Sequence, residues 1–290
     1  MRVLPYVMSS YTDRSTPARR RAQRRDRLAV LASVLLIAAW SPARAQSTAA
    51  LKPAATVQTT ADFLALGDQE SAARRPAAAL AAYEGGLQLD PRHVPLLWRA
   101  AREAVDLGEF ERQTAVRTAL YDKAVGYARR AVAGNPADPE AHFHLSRALG
   151  RTALAMGPRE RVKLAIDVRS AAIEVLRLQP RHAGALHVLG VWNAEIMRLN
   201  GLARAVAKTF MGAKVFDAAS WGEATRYLEQ AVAIEPNRLV HRLDLARIHR
   251  DAGRVGDART AFQTALRSPL TDANDVQYRE AAERELRALK

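Results

Sequence analysis

The sequence predicts an all-α protein, built as an α-α superhelix of about five helix pairs with a C-terminal capping helix. Alanine dominates the composition, and aromatic residues make up only 6% of the 290 residues. Alanine is the best helix former, and its small side chain lets helices pack closely. Apolar residues recur at helical spacing throughout the segments between prolines. Short motifs in which a helix ends at a proline also recur along the chain, which indicates a repeated unit.

The first element is an export signal that we expect to occupy residues 1–45. A basic stretch at 19–27 precedes an apolar run at 28–40. That run is shorter than the roughly 20 residues that a membrane-spanning helix needs. Ala43 and Ala45, separated by one residue, form the small-x-small pattern that signal peptidases cleave. We expect cleavage after Ala45 and a periplasmic protein that meets the membrane only through its signal; retention as a membrane anchor is the alternative.

The charge of the chain does not point to a nucleic-acid partner. The formal net charge is +14, but residues 1–45 hold nine basic residues against two acidic ones. The rest of the chain has 35 basic and 28 acidic residues, mixed along its length. A nucleic-acid-binding protein concentrates its basic residues on one face or helix. We therefore expect a protein or peptide partner.

The mature chain divides into a disordered linker at 46–60, rich in small and polar residues, and a helical domain at 61–290. Within that domain, helix ends recur at prolines spaced by 45, 44, 56 and 33 residues, which are Pro91, Pro136, Pro180, Pro236 and Pro269. The longer spacings predict extra residues in the middle units, as lengthened helices or loops between the two helices of a pair.

The first and last units carry the same apolar pattern. In the first unit the pattern residues are Phe63, Leu66, Gly67, Ala79 and Tyr83. In the last unit they are Leu245, Ala246, Ala258, Phe262 and Ala265. Small residues let the paired helices approach, and the aromatic residue fills the gap to the next pair. This pattern resembles the tetratricopeptide family, whose unit is a pair of antiparallel helices.

The middle units resemble the regulator-of-microtubule-dynamics family of tetratricopeptide-like proteins. The resemblance covers roughly residues 60–289 and is carried by AHFHLSR at 141–147, GALHVLGVW at 184–192 and ASWGEATRYLEQAVAIEP at 219–236. It implies protein binding, with microtubules as the partner in animal members. Because this chain has a bacterial style of export signal, we do not carry the microtubule partner over. The family motifs are helix-packing residues without a catalytic signature.

Two further helices are expected outside the repeats. The largest insertion contains an amphipathic segment at 202–211, whose Phe210 and Met211 offer an apolar contact surface. The tail at 274–290 has an apolar stripe with charges elsewhere, as a terminal capping helix needs.

The candidate binding site is the concave face, which the first helices line in the tetratricopeptide architecture. The alignment places nine charged or histidine residues there, namely Arg99, Glu103, Arg147, Arg151, His187, Glu195, Arg247, Arg250 and Asp251. The five arginines outnumber the acidic residues, which predicts a positive strip with few local acids. A guanidinium group can bind a carboxylate through two parallel hydrogen bonds, so an acidic peptide is the expected ligand. Alternatively, these arginines are solvated or paired within the solenoid.

Catalysis is the competing hypothesis, as a hydrolase or metal-dependent enzyme with a site near His144, His187 and Glu195. The seven histidines lack metal-ligand spacing, and the chain has no cysteine. Glu195 stands three residues before Arg198, as in an intrahelical ion pair. We therefore expect a non-catalytic scaffold without cofactor or metal.

Overall fold

The computed structural model describes residues 59–199 and 214–290. The expected signal at 1–45, most of the linker, and the amphipathic segment at 202–211 lie outside the described residues. The described part is helical without any strand, which confirms the all-α prediction. No helix in this part is both long and apolar enough to cross a membrane.

The helices form five consecutive pairs, each helix packing most extensively on its pair partner. The first three pairs are α1 (Thr60–Ala72) with α2 (Pro76–Leu89), α3 (Val94–Glu109) with α4 (Thr114–Gly134), and α5 (Pro139–Ala155) with α6 (Pro158–Leu178). After α7 (Ala183–Arg198) and the short α8 (Lys214–Asp217) come α9 (Trp221–Ile234), α10 (Leu239–Asp251), α11 (Val255–Leu266) and α12 (Asp275–Ala288). The fourth pair is α7 with α9, the fifth is α10 with α11, and α12 packs on α11 as the predicted cap.

The extra residues of the second and third units lengthen their second helices. Helices α4 and α6 have 21 residues each, whereas α2 and α9 have 14. The fourth unit differs, because its extra residues separate α7 from α9 along the chain while the two helices still pair. Four of the recurring prolines stand two residues after the last residue of a second helix, where a proline prevents the helix from continuing.

Glycines mark where paired helices approach most closely. A Cβ atom on Gly67 would lie 2.2 Å from the ring of Tyr83, and one on Gly108 would lie 2.6 Å from the ring of Tyr121. The small residue therefore makes room for an aromatic ring of the partner helix in two successive units. The alanines predicted at other close crossings are fully buried, namely Ala79, Ala224 and Ala258.

The apolar interior is divided into separate clusters. The largest runs through α2–α7 and includes Phe216 of α8. A second cluster is confined to α10, α11 and α12. Between them lies a small cluster formed by Ala194, Ala224, Leu228 and Ile248. The C-terminal helices thus have an apolar core of their own.

Candidate functional site

A cavity of about 420 Å³ lies on the concave side, lined by the first helices and by the segment that leads into α12. Helices α6 and α7 contribute the apolar side chains of Val168, Val188, Trp192 and Ile196, and with them the charged or polar side chains of Arg161, His187 and Glu195. Further charged side chains line the cavity from α3, α5, α10 and residues 271–278. Volume and lining both fall in the range of sites that bind ligands in proteins.

Aromatic stacking holds one end of the cavity. The His144 ring stacks on Trp98 with ring centroids 5.2 Å apart, and the Arg99 guanidinium lies 4.0 Å from the centroid of the Trp98 ring. Burial of His144, together with the charge of Arg147, holds the pKa of this imidazole well below its usual range. His144 is therefore neutral at pH 7, and its Nδ1 atom has no hydrogen-bond partner among the described residues.

The arginines of the third unit are paired with carboxylates of the second. Arg147 Nη2 donates to Asp106, and Arg151 Nη2 lies 2.5 Å from Glu109 Oε1. Asp106 and Glu109 belong to α3, one helix pair away along the superhelix. In the described part of the chain, both arginines make their polar contacts through Nη2 alone, so Nε and Nη1 retain unused donors.

The arginines of the fifth unit are paired with the capping helix. Arg247 Nη2 and Arg250 Nη1 contact the Glu285 carboxylate at 2.6 and 2.7 Å. Arg247 also binds Asp244 at 2.9 Å, and Arg250 binds Asp251 at 2.8 Å.

In the second unit, Arg99 Nε donates to Asp68 at 2.7 Å. Glu103, another predicted groove residue, is buried beneath the surface and accepts from Ser71 and Arg102. Burial raises the pKa of Glu103, against the opposing charge of Arg102.

The expectation of few local acids is therefore wrong. The predicted arginines all lie on first helices, but each faces a carboxylate, and five arginines and seven carboxylates line the cavity itself. The acids were missed because Asp106 and Glu109 lie beyond the positions assigned to the groove in their own unit, and Glu285 lies on the cap. The spacing of three residues between Asp106 and Glu109 was the one sequence signal that placed these two acids on the same helix face.

A chain of four polar residues joins α7 to α10. His187 Nε2 lies 3.2 Å from Asp244, and its Nδ1 lies 2.9 Å from Nδ1 of His241. His241 Nε2 in turn lies 3.1 Å from Glu235. Burial lowers the pKa of His241 to about 4, even though the Glu235 carboxylate opposes this shift. Burial would raise the pKa of Asp244, but the hydrogen bond from His187 and the charge of Arg247 hold it well below its usual range.

The three residues of the catalytic hypothesis all line the cavity, but the structure gives each of them different partners. His187 belongs to the polar chain just described, and His144 to the aromatic stack. Glu195 binds Arg161 at 3.1 Å and Arg198 at 2.6 Å, the latter being the expected intrahelical pair. In the regions that the structure describes, no group of three or more His, Asp or Glu residues is arranged to hold a metal ion.

Comparison with known proteins supports the tetratricopeptide fold. A family model described as "Regulator of microtubule dynamics protein 1-3" matches residues 58–290. Regulator of microtubule dynamics protein 1 from Mus musculus is 23% identical over 143 residues, 49% of this chain and 46% of that protein. The Bos taurus protein of the same name is 24% identical over 143 residues, 49% of this chain and 44% of its own length. The matched region is thus less than half of these curated relatives.

A solved structure shares the fold. The crystal structure of TTC0263, a thermophilic tetratricopeptide protein of Thermus thermophilus, superimposes with a TM-score of 0.56. It covers 78% of this chain and 99% of its own chain at 22% sequence identity.

Proposed function

Because this chain belongs to the regulator-of-microtubule-dynamics family and folds as a tetratricopeptide-like superhelix, we propose that it is a non-catalytic scaffold that binds a segment of a partner protein in its concave cavity. The observation that carries this proposal is the cavity itself, which is lined both by apolar side chains and by guanidinium and carboxylate groups. A cavity of this kind accepts an apolar side chain while its polar groups fix the orientation of the bound segment.

The apolar side chains of α7 anchor the partner. Val188, Trp192 and Ile196 stand on α7 and present a continuous strip along the cavity. Trp192 is held rigidly, because its indole nitrogen donates to the carbonyl oxygen of Ala165 at 2.7 Å. Burying an apolar side chain against a rigid wall of this type supplies most of the binding free energy in many protein interfaces.

The guanidinium groups of Arg147 and Arg151 make the cavity specific for ligands that carry a carboxylate. Their own carboxylate partners occupy only Nη2, so a ligand carboxylate can accept from Nε and Nη1 without displacing Asp106 or Glu109. Since the cavity also holds carboxylates, this attraction is local and depends on hydrogen-bond geometry rather than on net charge. An acidic residue next to an apolar one is therefore the proposed ligand motif.

The test is selection of a displayed library of random short peptides on the immobilised full chain. We expect the selected peptides to pair an apolar residue with Asp or Glu, and to lose about tenfold or more in affinity for Arg151→Gln, since hydrogen bonds to charged groups are worth about 1.5–3 kcal/mol. Arg177→Gln is the matched control, because Arg177 is exposed and pairs within its own helix with Glu174.

Two outcomes would contradict the proposal. If the selected peptides lack acidic residues and bind Arg151→Gln with the same affinity as the unchanged protein, the arginines are not part of the binding site. A selection that enriches no peptide would refute binding of a partner segment in the cavity.

We also propose that the scaffold acts outside the cytoplasm, in the periplasm, after cleavage following Ala45. The basic stretch, the apolar run and the small-x-small pattern of residues 19–45 support this location. A protein partner in that compartment, rather than nucleic acid, agrees with the mixed charges of the cavity wall.

A further inference from the structure

Two carboxylates of the cavity, Glu140 and Glu235, face histidines instead of arginines. Glu140, in the first turn of α5, has its Oε1 atom 3.2 Å from His182 Nε2. Glu235, which directly follows α9, has its Oε2 atom 3.1 Å from His241 Nε2. All four residues line the cavity, and Glu235 also lies within electrostatic range of His182. Both carboxylates therefore belong to one region of the cavity, termed the acidic end below.

The two histidines do not neutralise these carboxylates. His182 Nδ1 accepts a hydrogen bond from the backbone nitrogen of Ala185 at 3.1 Å, so the ring proton lies on Nε2. The ring therefore donates to Glu140 while it remains uncharged. Burial lowers the pKa of His241 to about 4, so this second ring is also neutral at pH 7. Both carboxylates thus keep their negative charge.

The arginines of the surrounding cavity lining are paired with other carboxylates. Arg238, whose charge acts on Glu235, binds Asp272 at 2.8 Å. Arg102 binds the buried Glu103 at 2.7 Å. In the part of the chain that the structure describes, neither carboxylate of the acidic end forms an ion pair with an arginine or a lysine. The acidic end therefore holds two negative charges that no cation contacts.

A buried histidine beside Glu140 lacks hydrogen bonds. His144 is only 4% exposed and lines the cavity. Its Nε2 atom is aimed at Glu140 Oε2 but lies 3.6 Å away, which is longer than a hydrogen bond. Its Nδ1 atom has no partner among the described residues. A buried polar group without a partner costs free energy, and an N–H donor seated between the ring and the carboxylate would recover part of it.

The acidic end stands at a fixed distance from the arginines of the proposed site. Arg147 and Arg151 follow Glu140 by 7 and 11 residues on the same helix, α5. These spacings keep the three side chains on one face of the helix. A helix rises about 1.5 Å per residue, so the arginines lie about 10 and 16 Å farther along α5. An extended peptide advances about 3.3 Å per residue and covers this distance in about three to five residues.

We propose that the acidic end is a second subsite, which binds the ammonium group of a lysine in the partner segment. The ammonium donates to the Glu140 carboxylate and to His144. The ligand is then dipolar, with a lysine at the acidic end, apolar side chains against α7 and an acidic residue at Arg147 and Arg151. Its two charges stand about three to five residues apart. The peptide rests on the proposed function, whereas the ammonium subsite does not.

The subsite is tested on the full chain with n-butylammonium, which carries the head group of a lysine side chain without a peptide. The imidazole signals of the protein are followed by NMR at constant pH 7 as the amine is added. The signals of His144 and His182 should shift and approach a limit as the subsite fills. n-Butanol, which has the same apolar chain without the charge, should not shift them.

Removing the charge of the acidic end should weaken the amine. Glu140→Gln keeps an acceptor for His182 and should lower the affinity about fivefold or more, because hydrogen bonds between charged groups are the strong ones. Glu235→Gln should weaken binding too, and it replaces the first variant if Glu140→Gln does not fold by circular dichroism. Glu223→Gln is the matched control, since Glu223 also lies in the first turn of a helix but pairs with Arg226. Absent shifts, or equal affinities in all variants, would overturn the subsite.

Peptides test the spacing of the two charges. In a series that holds one lysine, one aspartate and an intervening leucine, affinity should peak when the charges stand about three to five residues apart. Replacing the lysine of the best peptide with norleucine should weaken binding to the unchanged protein but not to Glu140→Gln, because the pair is already broken there. An equal loss in both proteins would overturn the dipolar ligand. Amine binding by a protein that binds no peptide would instead refute the proposed function and leave the ammonium subsite standing.

Discussion

Replacing Gly67 with alanine tests how closely the paired helices must approach. The added Cβ atom would meet three atoms of the Tyr83 ring at 2.2, 2.4 and 2.7 Å. The ring has no room to rotate away, because Tyr83 is fully buried. Its hydroxyl is also held by Asp68 at 2.7 Å and by Arg102 at 3.2 Å. The helices of the first pair must therefore separate, or these hydrogen bonds must break.

Gly126 provides a matched control for the magnitude. It also lies inside a helix, but a Cβ atom there would meet nothing within 4 Å. Alanine favours a helix interior over glycine by about 0.8–1 kcal/mol, so Gly126→Ala should stabilise the protein by about that amount. The same gain is present in Gly67→Ala, where the overlap costs about 1–3 kcal/mol. The propensity terms cancel in the comparison, so Gly67→Ala should be less stable than Gly126→Ala by about 1–3 kcal/mol.

Urea denaturation followed by circular dichroism at the helical band gives this difference directly from the two midpoints, provided that the slopes agree. Gly108→Ala, which faces the Tyr121 ring at 2.6 Å, should behave like Gly67→Ala. Equal unfolding free energies for Gly67→Ala and Gly126→Ala would show that a Cβ atom fits between α1 and α2 at position 67. Position 67 would then not require a small residue, which would refute this reasoning.

Three further predictions concern packing, pH and processing. Ala258→Leu should overpack the fully buried crossing of the last pair and lower the unfolding free energy by about 1–3 kcal/mol, measured by the same urea titration. Because burial lowers the pKa of His241 to about 4, the folded state binds fewer protons than the unfolded one. Stability should therefore be complete above pH ~6.5 and decrease by about 3 kcal/mol as the pH falls towards 4, while His241→Gln should lack this component. The mature protein should begin at Gln46 by N-terminal sequencing, and residues 28–40 retained in the membrane fraction would contradict export by cleavage.

The pairing of helices was predictable because its signals are local. Apolar spacing within a helix, a proline just after it and a small residue opposite an aromatic one all act over a few turns of chain. Gly67 with Tyr83 and Ala246 with Phe262 therefore identified the first and last units from sequence. The sequence does not determine whether the extra residues lengthen α4 and α6 or form loops, because an alanine-rich sequence continues a helix without marking its end.

The charge of the concave face was not predictable in the same way. Arg147 meets Asp106 over 41 residues of sequence, and Arg247 meets Glu285 over 38. Each pair joins different helices, so it depends on the rotation of one helix against the next. Sequence position could place the arginines on the first helices, but it could not identify the carboxylates that the neighbouring unit or the capping helix brings to them.

The sequence by itself thus determined the helices and their pairing, because both follow from contacts between residues close together in the chain. Only the tertiary structure decided that the C-terminal segment spans the cavity, bringing Leu270 to Arg74 and Asn274 to Asp106. The physical reason is that superhelical curvature adds up from the small rotation between successive pairs. No local pattern encodes that sum, so contacts between the two ends of the solenoid appear only once all five pairs are packed.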